Sequence, residues 1–193
     1  MAAKENDKNL LEEQVSSSVV YSGSFLTLRK DVARLSDGSL HSREYVSHPG
    51  AAAIAAVFDD ERMLVVRQYR YPMGKVYVEI PAGKIDAGET ALQTAKRELI
   101  EETGYSATTW AHLTDIHPAI GFASEVIKIY LAQGLSLGQA KPDEGELLNV
   151  EIVKFGWMMD ELKAHRLPDV KTQIAVSWLQ QIYAGSINSP EPI

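Results

Sequence analysis

The sequence predicts an α+β fold built on a mixed sheet. Strand-like segments come in groups, one strongly amphipathic helical pattern at residues 89–103 separates them, and two further helical patterns close the chain. A doubly wound sheet would alternate strands and helices regularly, and this chain does not.

Taken in order, residues 1–15 are polar and charged and are expected to form a flexible arm or a short helix. Residues 16–47 read as a β meander, SSVVYS, SFLTLRKDVARL and SLHSREYV, with a turn at Asp37-Gly38. This N-terminal β subdomain precedes a main domain expected over residues 48–193. Within it, 51–58 and 63–69 are apolar runs joined by Asp59-Asp60-Glu61-Arg62, the pattern of two buried strands. A third short strand at 76–80 stops at Pro81-Ala82-Gly83. Residues 89–103 place Leu92, Ala95 and Leu99 on one face and end at Gly104, a helix with a glycine C-cap. Strands follow near 108–116 and 125–132. The polar stretch GLSLGQAKPDEGE then leads to a strand at 149–155, and amphipathic helices are expected at 158–165 and 170–183.

Composition excludes several chemistries. A net charge of −7 opposes tight nonspecific nucleic-acid binding, which needs basic surface to displace counterions from phosphate. An acidic protein handles phosphates locally, through metal ions. The absence of cysteine excludes disulfides, thiolate catalysis and Cys-ligated zinc. His41, His48, His112, His117 and His165 are dispersed without ligand-like spacing, so zinc is not expected. The N-terminus lacks the apolar run of a signal peptide and no stretch is long enough to span a bilayer, so no membrane partner and a cytoplasmic location are expected.

The chemistry concentrates in AGKIDAGETALQTAKRELIEETGY, residues 82–105. On a helical wheel Glu102 falls at about 40° from Glu98 and Glu101 at about −60°, so one face carries three carboxylates. Like charges at this spacing repel, and at a helix C-terminus they oppose the macrodipole. An acidic helix face is ordinarily just solvated. Here Gly83 and Gly88 make the preceding loop able to approach a ligand closely, and Glu89 and Arg97 offer an ion pair beside it. A hard divalent cation would offset the repulsion directly and interact favourably with the helix end.

Gly83, Glu89 and Arg97-Glu98-Leu99-Ile100-Glu101-Glu102-Thr103-Gly104-Tyr105 together resemble the Nudix box, G-x5-E-x7-R-E-U-x-E-E-x-G-U. Tyr105 alone departs, at the final aliphatic slot. The resemblance implies a Nudix hydrolase, an α/β/α sandwich with a mixed sheet that cleaves nucleoside diphosphate derivatives with Mg²⁺ or Mn²⁺. By the same resemblance Glu98 and Glu102 are the main metal ligands and Glu101 is a ligand or an orienting acid. The Ala82 carbonyl is a backbone ligand, and Gly83, Glu89, Arg97 and Gly104 are structural.

Outside the box, REYVSHPGAAAIAAV, VVRQYRYP, VEIPAGKIDAGE, HPAIGFASEVIKIYLA, DEGE and DVKTQIAVSWL resemble, in that order, the ADP-ribose pyrophosphatase and nucleoside-diphosphate-sugar hydrolase branch. Pro118, thirteen residues after Tyr105, stands slightly earlier than the proline that branch often carries. Such a substrate needs cationic donors, for which Arg70 and Arg43 are candidates. Tyr21 or Phe25 could stack on the base, and Glu79 and Glu125 could contact sugar hydroxyls. The branch often places a catalytic carboxylate in the loop before the last strand. Asp143-Glu144-Gly145-Glu146 matches that loop, with Glu144 the better base candidate and Glu146 the better additional ligand. The branch also implies a homodimer in which the N-terminal strands reach the partner's site. A dinucleotide substrate and a non-catalytic ADP-ribose sensor are the alternatives.

Overall fold

The structure, a computed structural model, describes residues 5–138 and 147–193. The chain divides into two compact units, Met1–Pro49 with Ala119–Glu125, and Gly50–Pro118 with Val126–Ile193.

In the first unit β1 (Glu13–Ser22), β2 (Thr27–Arg34) and β3 (Leu40–Ser47) form an antiparallel meander in that order. The turn at Asp37-Gly38 is built by Gly38 at φ 84° and by Asp37 Oδ1, which accepts the Ser39 N–H at 2.9 Å. Strand β1 starts before the expected position 16, because Glu13 pairs with Arg34 across the sheet. Such a cross-strand partner is invisible in a polar stretch of sequence. Every residue of β1 is exposed. The segment Ala119–Glu125 closes on β3 through Val46 N–H to Phe122 O at 2.8 Å and Ser124 N–H to Val46 O at 2.9 Å.

The second unit contains β4 (Ala51–Ala56), β5 (Arg62–Arg70), β6 (Lys75–Glu79), β7 (Ala82–Lys84), α1 (Ala91–Thr103), β8 (Tyr105–Ile116), β9 (Ile127–Leu137), β10 (Leu148–Lys154), α2 (Phe155–Lys163) and α3 (Val170–Tyr183). One sheet has the order β7-β4-β9-β8 and the other β10-β5-β6. β4 runs parallel to β9 while its other neighbour, β7, is antiparallel, so the sheet is mixed. All of β4 is buried, on both faces. Ala51, Ala53 and Ala55 pack with Ala175, Val176 and Leu179 of α3, whereas Ala52, Ile54 and Ala56 pack with Ala91, Ala95 and Leu99 of α1. A strand covered by helices on both sides has no polar face to show, which is why it reads as an uninterrupted apolar run.

The sequence boundaries differ from these in instructive places. β7 is three residues long and contains Gly83, too short to leave a period-two signature. β9 continues to Leu137 rather than stopping at 132, because β8 pairs with it as far as Tyr105 opposite Leu137. α2 begins at Phe155 and is finished by Lys163; His165, at φ 59°, has left the helical region.

Helix α1 is defined at both ends by local chemistry. Thr90 Oγ1 accepts the Gln93 N–H, and Gln93 Oε1 accepts the Thr90 N–H at 2.8 Å, a reciprocal capping box. Gly104 stops the helix at φ 76°, where its N–H donates to Ile100 O at 2.8 Å. The cap fixes where the last turn ends, and so the positions of Glu98, Glu101 and Glu102.

Candidate active site

Two of the three carboxylates on this face of α1 are buried, and Glu101 is partly exposed. Glu98 is 9% exposed and Glu102 2%, one turn apart on the side of the helix that meets β7. Buried carboxylates need partners. Glu102 Oε2 accepts the Ala82 N–H at 3.2 Å, so Ala82 meets the helix through its amide in this structure. Glu98 lies directly against Gly83: a Cβ built there would stand 1.8 Å from Oε1 and 1.9 Å from Cδ. Only glycine leaves room for that carboxylate.

Arg97 holds the loop to the helix. Its Nη1 donates at 2.8 Å to both Glu98 Oε1 and Glu101 Oε2, while Nε and Nη2 each donate to Glu89 at 3.0 Å. Nη2 also reaches the Lys84 carbonyl at 3.3 Å. One guanidinium therefore joins three carboxylates and offsets the charge that the macrodipole disfavours. Hydrogen bonding to Arg97, then to Thr94, lowers the Glu89 pKa to about 2. That value is below the ordinary carboxylate range of about 4. The contribution of this clamp to stability is therefore complete above the unfolded pKa and is lost as pH falls toward 2. Between about pH 4.5 and pH 2 the wild type is expected to lose more stability than Glu89→Gln, measured as urea midpoints at the two ends of that window.

A second charged group sits where β5, β6 and α3 meet. Arg70 donates Nε to Glu79 Oε1 at 2.8 Å and Nη2 to Glu79 Oε2 at 2.7 Å, a bidentate fork. Lys171 Nζ also donates to Glu79 Oε2, and it pairs with Asp169 Oδ1 at 3.0 Å. Burial pushes the Glu79 carboxyl up, but Arg70 and Lys171 outweigh it and hold the group below its ordinary value. The Arg70 guanidinium is raised by its hydrogen bond to Glu79 first, and also by the charges of Asp169 and Glu102. Arg70 is thus within electrostatic reach of the acidic end of α1.

Four further candidates, Tyr21, Phe25, Arg43 and Glu125, lie in the first unit. Tyr21 is on exposed β1, and Arg43 pairs with Glu12, Nε to Oε2 at 2.8 Å and Nη2 to Oε1 at 2.5 Å. Glu125 faces His48, Oε1 to Nδ1 at 3.6 Å, and Phe25 packs edge-on against the same imidazole. Asp143, Glu144 and Glu146 lie outside the described residues. Two placements depart from expectation. Glu79, a candidate for sugar contacts, has both oxygens occupied by Arg70 and Lys171. Lys171 and Asp169 carry no motif that marks them as site residues, and the one signal in the sequence is Asp169 in N-cap position just ahead of Lys171-Thr172.

Among the described residues no three His, Asp or Glu side chains converge in a geometry that holds a metal ion. The donor set nevertheless fits a hard divalent cation, because Mg²⁺ commonly takes one or two carboxylates and completes its shell with water and substrate oxygens. Glu98, against the Gly83 backbone where a Cβ would not fit, and Glu102, against the Ala82 amide, are two carboxylates of that kind one helical turn apart.

Mixed sheet, covering helices and a glutamate-bearing helix end define a class of fold and site, and comparison places the chain within it. The profile of the NUDIX domain matches residues 48–173. The chain is 37% identical to an ADP-ribose pyrophosphatase of Bacillus subtilis (strain 168), over 90% of this chain and 95% of that protein. It is 39% identical to a methanol dehydrogenase activator of Bacillus methanolicus, over 88% and 92% respectively. A crystal structure of an ADP compounds hydrolase superposes with a TM-score of 0.79 over 92% of this chain and 97% of that one, at 22% identity, and so shares the fold. The chain belongs to the NUDIX domain family.

Proposed function

We propose that this protein hydrolyses the pyrophosphate bond of ADP-ribose or a related nucleoside diphosphate sugar, releasing a nucleoside monophosphate and a sugar phosphate. The observation that carries the reading is the buried pair one helical turn apart, Glu98 against Gly83 and Glu102 on the Ala82 amide. The likeness over nearly the whole chain to the Bacillus subtilis ADP-ribose pyrophosphatase supports the choice of substrate.

In this reading Glu98 and Glu102 hold a divalent cation, Mg²⁺ with Mn²⁺ as an alternative. When bound it lowers the pKa of a water and neutralises charge on the diphosphate. The chain's own residues do the rest. Arg97 and Glu89 keep the loop against α1, and Arg97 Nη1 holds the Glu98 carboxylate in place. Arg70 offers a guanidinium to the diphosphate oxygens. Glu144 or Glu146 orients or deprotonates the attacking water as one P–O bond forms and the bridging P–O bond breaks, with Glu101 as an ancillary acid. Glu144→Gln and Glu146→Gln, assayed separately, identify the base. The variant lacking it is expected to lose about 10²- to 10⁴-fold in kcat, and a full rate in both places water activation elsewhere.

A homodimer belongs to the same reading. β1 is an edge strand with Val15, Val19, Val20 and Tyr21 all exposed, and an open edge of this kind is a template for pairing with a second chain. Light scattering is expected to give twice the chain mass; a monomer across the concentration range removes the dimer. The substrate test is a panel of ADP-ribose, nucleotide sugars and dinucleotides with Mg²⁺ in isotopically labelled water. ADP-ribose is expected to show the highest kcat/KM, with AMP and ribose 5-phosphate as products. A dinucleotide turned over faster replaces the substrate assignment with the alternative.

A further inference from the structure

We propose that Lys171 is a positioning residue for the substrate diphosphate. From the first turn of α3 it holds the buried Glu79 carboxylate, and Glu79 in turn presents Arg70 with an Nη1 that has no partner among the described residues and is left for the anion. The inference rests on the reading of the protein as a nucleoside diphosphate hydrolase and assigns a role to a residue that reading leaves out.

The geometry is a relay of charge from the core to the surface. Lys171 is 6% exposed and Glu79 2%, whereas 41% of the Arg70 side chain is exposed. Arg70 uses Nε and Nη2 on Glu79, and among the described residues its Nη1 has no hydrogen-bond partner. A guanidinium gripped along one edge keeps its plane and its outward donors fixed, which is the preorganisation that bidentate anion recognition requires. Glu79 Oε2 takes both Arg70 Nη2 and Lys171 Nζ, so the lysine determines how the carboxylate is turned.

Stability alone is a poor reason for this arrangement. An ammonium in the first turn of a helix meets the positive end of the macrodipole, and buried ion clusters often lose nothing when replaced by apolar side chains. Asp169 Oδ1 offsets the first effect at 3.0 Å while Asp169 Oδ2 caps the helix by accepting the Thr172 N–H at 3.0 Å. The same turn reaches the loop of the site: Thr172 Oγ1 accepts the Ile80 N–H at 2.9 Å, immediately before Pro81-Ala82-Gly83. Arg70, Lys171, Glu79 and Asp169 are together neutral. Without Lys171 the carboxylates are in excess, and Arg70 is drawn toward them and away from the anion.

The test is a double-mutant cycle on Lys171→Met and Arg70→Met, read as KM and kcat for ADP-ribose and as calorimetric Kd for α,β-methylene-ADP, which cannot be cleaved at its bridge. Lys171→Met is expected to raise KM and Kd roughly tenfold with kcat within about twofold, as the loss of an orienting partner does. In the Arg70→Met background it is expected to add nothing. Lys171→Arg, which keeps the charge, is expected to restore most of the affinity. Equal effects of Lys171→Met in both backgrounds, or a fall in melting temperature with KM and Kd unchanged, overturn the proposal. Lys171→Gln carries the same comparison if the methionine variant does not fold. Wild-type protein that binds the analogue but does not cleave ADP-ribose refutes the functional reading and leaves the Kd cycle to decide the role of Lys171. Wild-type protein that does not bind the analogue refutes the role itself.

Discussion

Glu102→Gln is expected to lower ADP-ribose turnover by on the order of 10³-fold, about 4 kcal/mol of transition-state stabilisation, while the protein stays folded. The side chain is 2% exposed and its Oε2 accepts the Ala82 N–H. Glutamine preserves volume and can still accept that hydrogen bond through its amide oxygen, so packing and the loop contact survive. What it removes is a negative charge one helical turn from Glu98. In the absence of metal that loss relieves repulsion, and the melting temperature is expected to hold or rise. In the presence of Mg²⁺ the wild type is expected to gain stability in proportion to RT ln(1 + [Mg²⁺]/Kd), and the variant is not. Turnover and metal-dependent melting, measured on the same samples, separate a lost ligand from a damaged fold. Full activity in Glu102→Gln overturns the assignment of the pair.

Gly83→Ala is expected to have the next largest effect, about 10²-fold on kcat/KM, or about 2.7 kcal/mol, at nearly unchanged stability. The added Cβ would fall 1.8 Å from Glu98 Oε1 and 1.9 Å from Cδ, distances no structure tolerates. The atoms in the way are the end of a flexible side chain rather than backbone. The strand pairing of Gly83 with Ala52 can persist while the Glu98 carboxylate swings out of its cradle. The damage therefore falls on the site and not on the sheet. Urea midpoints beside kcat/KM check this. A variant that keeps its activity shows that Glu98 has no need of that position, whereas one that unfolds shows that the loop, and not the side chain, is what gives way.

The local rules of sequence chemistry reach well into this fold. Gly104 marks the end of α1 where the sequence puts it, the Thr90–Gln93 capping box starts the helix at Ala91 rather than at the expected 89, and β4 reveals its two-sided burial as an unbroken apolar run. The three-residue β7 and the far end of β9 have no such local signature, because their existence depends on strands elsewhere in the chain. The same division runs through the site. Spacing puts Glu98 and Glu102 on one face of a helix, yet nothing in the spacing tells that the face is buried; that follows from β7, which covers it. Glu79 offers the clearest case. A glutamate in a short strand next to the loop invites a substrate contact, and only the approach of α3, ninety-two positions along the chain, shows that Lys171 already engages it.

The most direct test of a metal-dependent ADP-ribose hydrolase is the quantity of AMP and ribose 5-phosphate released from ADP-ribose with Mg²⁺ and with the metal removed by a chelator. The expected result is equimolar release of the two products with Mg²⁺, none with the chelator, and recovery when Mg²⁺ is restored. An undiminished rate in the chelator, or no release with Mg²⁺ present, contradicts it.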